Sequence, residues 1–245
     1  EYGGPGLDSV TVAVIYEELG KGCAGVATSM AANSLASYPI LIAGTEEQKQ
    51  AHCDLLNDGK LAAFALTEPG AGTDAAAGKS LAVKQADGSY LLNGTKCFIT
   101  NGDCAHTFIF PALMDPSIGT KSMTAFIIDK DMPGLEIGKH ENKMGIRTSH
   151  TTEVICKNVV VPAENLLWKE GKGFALSMMT LDGGRIGVAA QALGTAEAAL
   201  REGVKFANER VQFGKPIATK QAIQWMIAEC ATDIEAARWL VYRAA

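Results

Sequence analysis

Apolar and polar positions follow different periods along the chain, and the changes of period divide it into thirds. Up to about residue 60 the apolar positions recur at helical spacing, and Thr45 with Gln48 forms a capping box that starts a short helix. From residue 61 the apolar runs have the length of β-strands, and after Pro162 the helical period returns. The pattern therefore predicts helices, then strands, then helices.

Turn residues set the strand predictions in the middle third. Asp87-Gly88 and Asn93-Gly94 favour two-residue hairpin loops. Three segments are therefore predicted to form a meander: 80–85, 89–92 and 95–100. Further strands are predicted at 61–67, 107–110, 123–129, 151–157 and 159–161. Pro111 has no backbone donor, so we expect its strand to bulge or to lie at an edge there.

Two long helices are predicted in the last third, from about 173 to 208 and from about 219 onward. The second has one apolar face, made by Ile223, Ile227, Cys230, Ile234, Ala237 and Val241. The predicted class is α+β with several domains. These are an N-terminal helical part (1–60), a central antiparallel β domain (61–165) and the start of a C-terminal antiparallel helix bundle (166–245).

Composition narrows the possible partners. With 47% hydrophobic residues the chain can form a buried core. Its net charge of −5 argues against nucleic acid or an anionic membrane as a partner, and we identified no apolar stretch long enough to span a bilayer. The chain begins without Met and stops within a helical pattern, so we expect both ends to be cut, and the sequence leaves open whether the protein has a targeting signal.

The cysteines and histidines form no recognisable ligand spacing. Six cysteines, at 23, 53, 97, 104, 156 and 230, include no CxxC pair, and the four histidines fall in no metal or nucleophile motif. No metal site is therefore predicted, and the thiols are expected to be reduced.

A Gly-rich loop is the first candidate site. Residues 64–74 read FALTEPGAGTD, a strand that runs into a Pro/Gly turn. Glycines let the backbone approach a flat or phosphorylated ligand, and Thr67 and Thr73 can hydrogen-bond a ring edge or a linker. The alternative is a surface loop that ends a strand.

A strand end is the second candidate. In residues 96–102, KCFITNG, Phe98 and Thr100 are two apart and share a sheet face, so a ring could lie on Phe98 while Thr100 bonds its edge. The alternative is an ordinary core Phe, which would be preferred if the loop at 64–74 were absent.

Two helical segments are weaker candidates. Asp182 and Arg185 flank Gly183 and Gly184 within a helix. The two glycines suggest that another group approaches the helix backbone there. The alternative is that Asp182 and Arg185 only form an i,i+3 ion pair. Residues 208–216, NERVQFGKP, could bind a pyrophosphate or adenine, but Gly and Pro also end helix hairpins for structural reasons alone.

Together these segments resemble the acyl-CoA dehydrogenase family over all 245 residues, and most closely its short-chain, butyryl-CoA members from anaerobic bacteria. Five stretches carry the resemblance: FALTEPGAGTDA (64–75), LNGTKCFITNG (92–102), KMGIR (143–147), MMTLDGGRIGVAAQALG (178–194) and ERVQFGKP (209–216).

The resemblance implies an FAD site and an acyl-CoA site. The flavin ring and its ribityl chain would contact Phe64, Ala65, Leu66, Thr67, Gly72, Thr73, Phe98, Ile99 and Thr100. The FAD pyrophosphate and adenosine of a neighbouring subunit would contact Arg210, Phe213 and Gln221, which implies a homotetramer, a dimer of dimers. The acyl-CoA would contact Thr73, Asp182 and Arg185.

The implied reaction is α,β-dehydrogenation of a short-chain acyl-CoA, with electrons passed to an electron-transferring flavoprotein, in the bacterial cytoplasm or the mitochondrial matrix. Some members of the family place the base glutamate where this chain has Gly184, so the resemblance puts the base beyond Ala245 and no catalytic base in this chain. Alternatives are a non-catalytic flavin or CoA binding fragment, an enoyl-CoA reductase or an acyl-CoA oxidase.

Overall fold

The computed structural model describes residues 2–245 and contains five helices and ten strands in that range. The helices are α1 (Ser9–Gly22), α2 (Ala24–Ala43), α3 (Glu46–Asn57), α4 (Gly173–Glu209) and α5 (Gln221–Ala244). The strands are β1 (Leu61–Phe64), β2 (Leu81–Lys84), β3 (Tyr90–Thr100), β4 (Ala105–Leu113), β5 (Met123–Asp129), β6 (Leu135–His140), β7 (Thr151–Val161), β8 (Leu166–Leu167), β9 (Val211–Gln212) and β10 (Lys215–Pro216). This order of elements confirms the predicted fold class.

Local sequence signals set the starts of the first helices. The Asp8 carboxylate accepts the Thr11 N–H at 2.7 Å and so caps α1. The capping box predicted at α3 is confirmed, because Thr45 N–H donates to the Gln48 side chain at 3.0 Å and Gln48 N–H donates to Thr45 Oγ1 at 3.2 Å.

The eight strands β1–β8 form one sheet in the order β6-β7-β3-β2-β4-β5-β8, with β1 paired to β4. Most pairings are antiparallel, but β1 and β2 both run parallel to β4. The apolar residues of the central strands fill the core, with Phe108, Phe110, Phe126 and Leu92 fully buried. The strands β6 and β8 were not predicted.

The three-stranded meander was wrong at Asn93-Gly94. The predicted turn at Asp87-Gly88 is present, with Gly88 at φ 90°, but β3 continues through Asn93 and Gly94, with a shift of register against β7. Asn93 Nδ2 donates to Asn158 Oδ1 on β7 at 3.0 Å, and Asn93 Oδ1 accepts the Asn158 backbone N–H at 2.9 Å. A Cβ on Gly94 would lie 2.2 Å from Ser80 Oγ. Pairing with β7 and close contact with Ser80 thus keep Asn93-Gly94 in an extended strand, although the dipeptide alone favours a turn.

Pro111 lies within β4, a central strand with no register shift against β5. The predicted bulge or sheet edge is therefore wrong. Backbone groups two residues apart point to the same side of a strand, so the Pro111 nitrogen points to the same side as the N–H groups of Ile109 and Leu113. On that side β4 pairs with β1 as far as Ile109 and with β2 at Leu113. The proline lies in the gap between them, where it removes no ladder hydrogen bond.

The helix α2 is long and apolar enough to cross a membrane by length and composition alone, which the sequence analysis did not recognise. Its polar side chains bind neighbouring protein groups. Asn33 accepts the Ala62 N–H at 2.9 Å, and Ser37 Oγ lies 2.8 Å from His52 Nε2 on α3. These two polar groups are therefore paired within the protein, although only 28% of the apolar window of α2 is buried.

The described chain forms two compact units, one of residues 2–6 with Ser29–Gly184 and one of Leu7–Thr28 with Arg185–Ala245. In the second unit α1, α4 and α5 meet at the buried Glu17. Its carboxylate accepts hydrogen bonds from Arg238 at 3.1 Å and from Tyr242 at 2.6 Å. The division at residues 60 and 165 stays a prediction.

Candidate active site

The Gly-rich loop after β1 is closed by a tight turn. Glu68 and Ala71 exchange two backbone hydrogen bonds, of 3.1 and 3.0 Å, around Pro69 and Gly70. Thr73 and Gly72 follow the turn on the surface, and a Cβ added to Gly72 would meet nothing within 4 Å. The loop therefore has an open backbone face where a flat ligand can lie.

The end of β3 contains a β-bulge that turns Phe98 outward. The register with β7 shifts between Lys96 and Ile99, and Phe98 adopts a left-handed φ of 57°. A large side chain rarely takes that conformation, and bulges often re-aim a side chain next to a functional site. The Phe98 side chain is 63% exposed, while Lys96 and Cys97 before it are both buried. Phe98 is therefore held on the surface by the backbone.

One hydrogen bond joins the loop to the strand end: the Cys97 N–H donates to the Thr67 carbonyl at 2.9 Å. Thr67 and Thr100 are half-buried, and Phe98 is exposed beside them. The two sequence candidates in this unit thus form one surface that carries an aromatic ring and hydroxyl groups.

Some of the predicted cofactor residues have their side chains in the core. Ile99 is 2% exposed and packs in the β-sheet core, and Phe64 and Ala65 are also buried. Only the backbone of these residues can face a ligand. Leu66 is half-buried and completes the loop.

A buried ion pair lies beneath the surface that the Gly-rich loop and the end of β3 form. The sequence analysis did not identify this pair. Lys96 Nζ donates to Glu68 Oε1 at 2.7 Å and to the Leu66 carbonyl at 3.3 Å. Glu68 also accepts the backbone N–H groups of Lys79, at 2.6 Å, and Ser80, at 3.2 Å. Burial raises the pKa of Glu68, but Lys96 and these N–H groups outweigh it, so its pKa lies below the ordinary value.

The paired glycines of α4 have a structural explanation. A Cβ on Gly183 would lie 3.4 Å from the Tyr38 ring, and one on Gly184 would lie 2.8 Å from Leu35 Cδ1. The group that approaches the helix backbone is therefore α2. Asp182 and Arg185 are both exposed, and no ion pair joins them among residues 2–245.

The segment after α4, in the second compact unit, is a small hairpin instead of a simple helix corner. The strands β9 and β10 pair antiparallel around Phe213, which has a φ of 55°, and Gly214, which has a φ of 74°. Phe213 is 93% exposed, and Lys220 Nζ lies 5.1 Å from its ring centroid. Arg210 and Gln221 are also exposed, so all three predicted contacts are open to a partner.

Three family models match the chain in order. They describe the N-terminal domain (1–60), the middle domain (63–159) and the C-terminal domain (171–245) of acyl-CoA dehydrogenases. The chain belongs to the acyl-CoA dehydrogenase family. A short-chain-specific acyl-CoA dehydrogenase of Megasphaera elsdenii is 52% identical over the whole chain, and the chain spans 65% of the length of that relative.

Solved structures of the acyl-CoA dehydrogenase family superpose closely. The butyryl-CoA dehydrogenase of Megasphaera elsdenii has a TM-score of 0.97 and 52% identity, covering 100% of this chain and 65% of its own. A chain in a structure of the electron transferring flavoprotein of Acidaminococcus fermentans has a TM-score of 0.96 and 52% identity, covering 99% of this chain and 64% of its own. An acyl-CoA dehydrogenase of Bacillus anthracis complexed with FAD has a TM-score of 0.93 and 40% identity, covering 99% of this chain and 41% of its own.

Proposed function

We propose that this protein carries out the FAD-dependent α,β-dehydrogenation of a short-chain acyl-CoA of the butyryl-CoA to crotonyl-CoA type. The observation that carries the proposal is the surface joined by the Cys97–Thr67 hydrogen bond, with Phe98 held outward by the bulge. Family membership and the short-chain relative support the substrate class.

The residues present fit a flavin. The Phe98 ring offers a hydrophobic contact for the flavin ring, and the Thr67 and Thr100 hydroxyls and the Gly72 backbone offer hydrogen bonds at its edges. Thr73 would bind both the flavin chain and the CoA arm. When bound, FAD accepts the hydride that leaves the β-carbon of the substrate.

No residue of α4 can act as the base at the position used by some members of the family. Residue 184 is glycine, and its Cβ position lies 2.8 Å from Leu35 Cδ1, so a glutamate there would require the Leu35 side chain to move. The proposal therefore places the base glutamate outside residues 1–245. Asp182 and Arg185, which are exposed on α4, are assigned to the acyl-CoA channel.

The exposed hairpin is proposed to bind the FAD of a neighbouring subunit. Arg210 would pair with the pyrophosphate, and Phe213 and Gln221 would contact the adenosine. This assignment needs a homo-oligomer, proposed to be a tetramer. An electron-transferring flavoprotein is proposed as the electron acceptor and the cytoplasm as the location, with support from the bacterial relatives.

The test is anaerobic reduction of the full-length protein by butyryl-CoA, followed through the loss of the visible flavin absorbance. We expect reduction by butyryl-CoA and slower reduction by long-chain acyl-CoA. Phe98→Ala should weaken FAD binding by up to about tenfold. Val160→Ala, at an equally exposed position on β7, should leave FAD binding unchanged.

Bound flavin without reduction by any acyl-CoA would favour the binding-module alternative. Reduction by NADH with turnover of an enoyl-CoA would favour a reductase, and fast reoxidation by oxygen would favour an oxidase.

A further inference from the structure

Side chains that commonly bind metals meet at the turn between β3 and β4. One ligand atom each of Asp103, Cys104 and His150 lies within 4.8 Å of the others. His150 Nδ1 is 2.7 Å from Asp103 Oδ2, and His140 Nε2 is 3.5 Å from the same oxygen. A carboxylate, a thiol and one imidazole therefore share one small volume, and the His140 imidazole lies beside it, against the Asp103 carboxylate.

The backbone holds these donors in place. Asn101 N–H donates to the His150 carbonyl at 3.0 Å, which fixes the segment before β7 against the turn. Cys104 N–H donates to the Asn101 carbonyl at 3.0 Å, and Lys130 Nζ donates to the Asp103 carbonyl at 2.8 Å. The Lys130 ammonium thus bonds the peptide oxygen of Asp103 instead of its carboxylate. The backbone of the turn and of the segment before β7 is therefore fixed, and only the ligand side chains would have to shift to bind an ion.

The carboxylate has an unused acceptor. Asp103 Oδ1 is buried and has no hydrogen-bond partner among residues 2–245. An unsatisfied buried acceptor costs about 1–3 kcal/mol. Both histidine rings are more than half exposed, so an ion can reach the cluster from solvent.

The Cys104 thiol follows Asp103 directly in the turn, and its Sγ donates to the Asn101 carbonyl at 3.5 Å. A divalent ion would displace the thiol proton to solvent and form a metal–thiolate bond, as in other cysteine sites.

We propose that Asp103, Cys104, His140 and His150 bind one Zn²⁺ ion. Mixed thiolate, imidazole and carboxylate donors suit Zn²⁺ better than Mg²⁺ or Ca²⁺, which prefer oxygen ligands alone. The ion would join the β3–β4 turn to the β6–β7 connection. The proposal is independent of the flavin and acyl-CoA sites.

The test uses the full-length protein after treatment with a chelator. Titration with Co²⁺ should give the visible bands of a tetrahedral ion and a thiolate charge-transfer band, with one ion per chain. Zn²⁺ should displace Co²⁺ and raise the Tm. Cys104→Ser should abolish the charge-transfer band, and His150→Gln should weaken Zn²⁺ binding at least about tenfold.

Two matched controls separate this site from general metal binding. His106→Gln changes an exposed histidine three residues from Asp103, and Cys53→Ser changes a cysteine as accessible as Cys104. Both variants should bind Co²⁺ and Zn²⁺ as the wild type does. Absence of stoichiometric binding, or equal binding by the wild type, Cys104→Ser and His150→Gln, would overturn the proposal. So would an equal loss in the two control variants.

Discussion

Lys96 bonds groups of the Gly-rich loop from inside the protein. Its side chain is 2% exposed, bonds Glu68 and lies 4.8 Å from the centre of the Phe110 ring. A buried ion pair gains little over an apolar pair, but removing one partner leaves an unpaired charge. The Leu66 carbonyl, within the Gly-rich loop, is bonded by the same ammonium group.

We expect Lys96→Met to lower the free energy of unfolding by about 3–5 kcal/mol, because Glu68 loses its counter-charge. The additional change Glu68→Gln should recover part of this loss. Urea denaturation of the three proteins, followed by circular dichroism, measures both effects. Lys84→Met breaks an exposed ion pair with Glu170 and should lower the free energy of unfolding far less. Equal losses at Lys96 and Lys84 would contradict the role of burial.

His52 makes stability depend on pH. It is buried on α3 beside Ser37, and burial lowers its pKa from 6.5 to about 4. Between these values the unfolded chain binds a proton and the folded protein does not, so stability falls as pH falls. The loss from His52 should approach about 3 kcal/mol at pH 4 and vanish above pH 6.5.

Denaturation at several pH values should therefore show a shallower slope for His52→Gln than for the wild type between pH 4 and 6.5. His106→Gln, which changes an exposed histidine, should keep the wild-type slope. An unchanged slope in His52→Gln would show that other groups cause the acid sensitivity.

At the scale of elements, α4 contains glycines of two kinds. A Cβ on Gly194 would lie 1.9 Å from the Glu17 carbonyl, so the glycine allows α1 to pack directly on the backbone of α4. A Cβ on Gly203 would meet nothing within 4 Å. The sequence alone treats the two positions as equivalent helix-weakening residues.

Alanine at these positions should act in opposite directions. Gly194→Ala should lower the free energy of unfolding by about 1–3 kcal/mol, because the added methyl group overpacks against α1. Gly203→Ala should stabilise by about 0.5–1 kcal/mol through helix propensity alone. Thermal or urea denaturation of both variants provides the comparison, and two changes of the same sign would refute the proposed packing.

The whole chain exposes a large apolar groove between α4 and α5. It has a volume of about 580 Å³ and is lined by Leu200, Phe206, Ile223, Met226, Ile227 and Ile234, among others. Exposed apolar surfaces of this kind favour association with another surface or aggregation. The apolar face predicted for α5 is present, and none of its residues is fully buried.

The 245-residue chain produced alone should therefore bind a hydrophobic dye such as ANS and associate at high concentration. Met226→Lys should reduce the dye fluorescence without reducing the helix content that circular dichroism measures. Val188→Lys places the same charge at an exposed position of α4 outside the groove and should change it little. Equal fluorescence in Met226→Lys and the wild type would show that the dye binds elsewhere.

Several features of the fold, and the loop of the candidate site, could be predicted because their signals are local. Consecutive residues determine the capping box at Thr45, the hairpin turn at Gly88 and the Gly-rich loop, and the structure contains all three. The bulge at Phe98 was not predicted, because it arises from the register of β3 against β7. The Lys96–Glu68 pair and the Asp103–His150 cluster join residues 28 and 47 positions apart.

The sequence by itself determined the order of helices and strands, the fold class and the positions of the loop and strand end, because hydrophobic period and turn chemistry act over a few residues. Only the tertiary structure decided that Asn93-Gly94 continues a strand and that Gly183 and Gly184 accommodate α2. It also turned Phe98 outward and brought Asp103, Cys104 and His150 together. These features depend on which distant segments meet, and a local pattern contains no information about that.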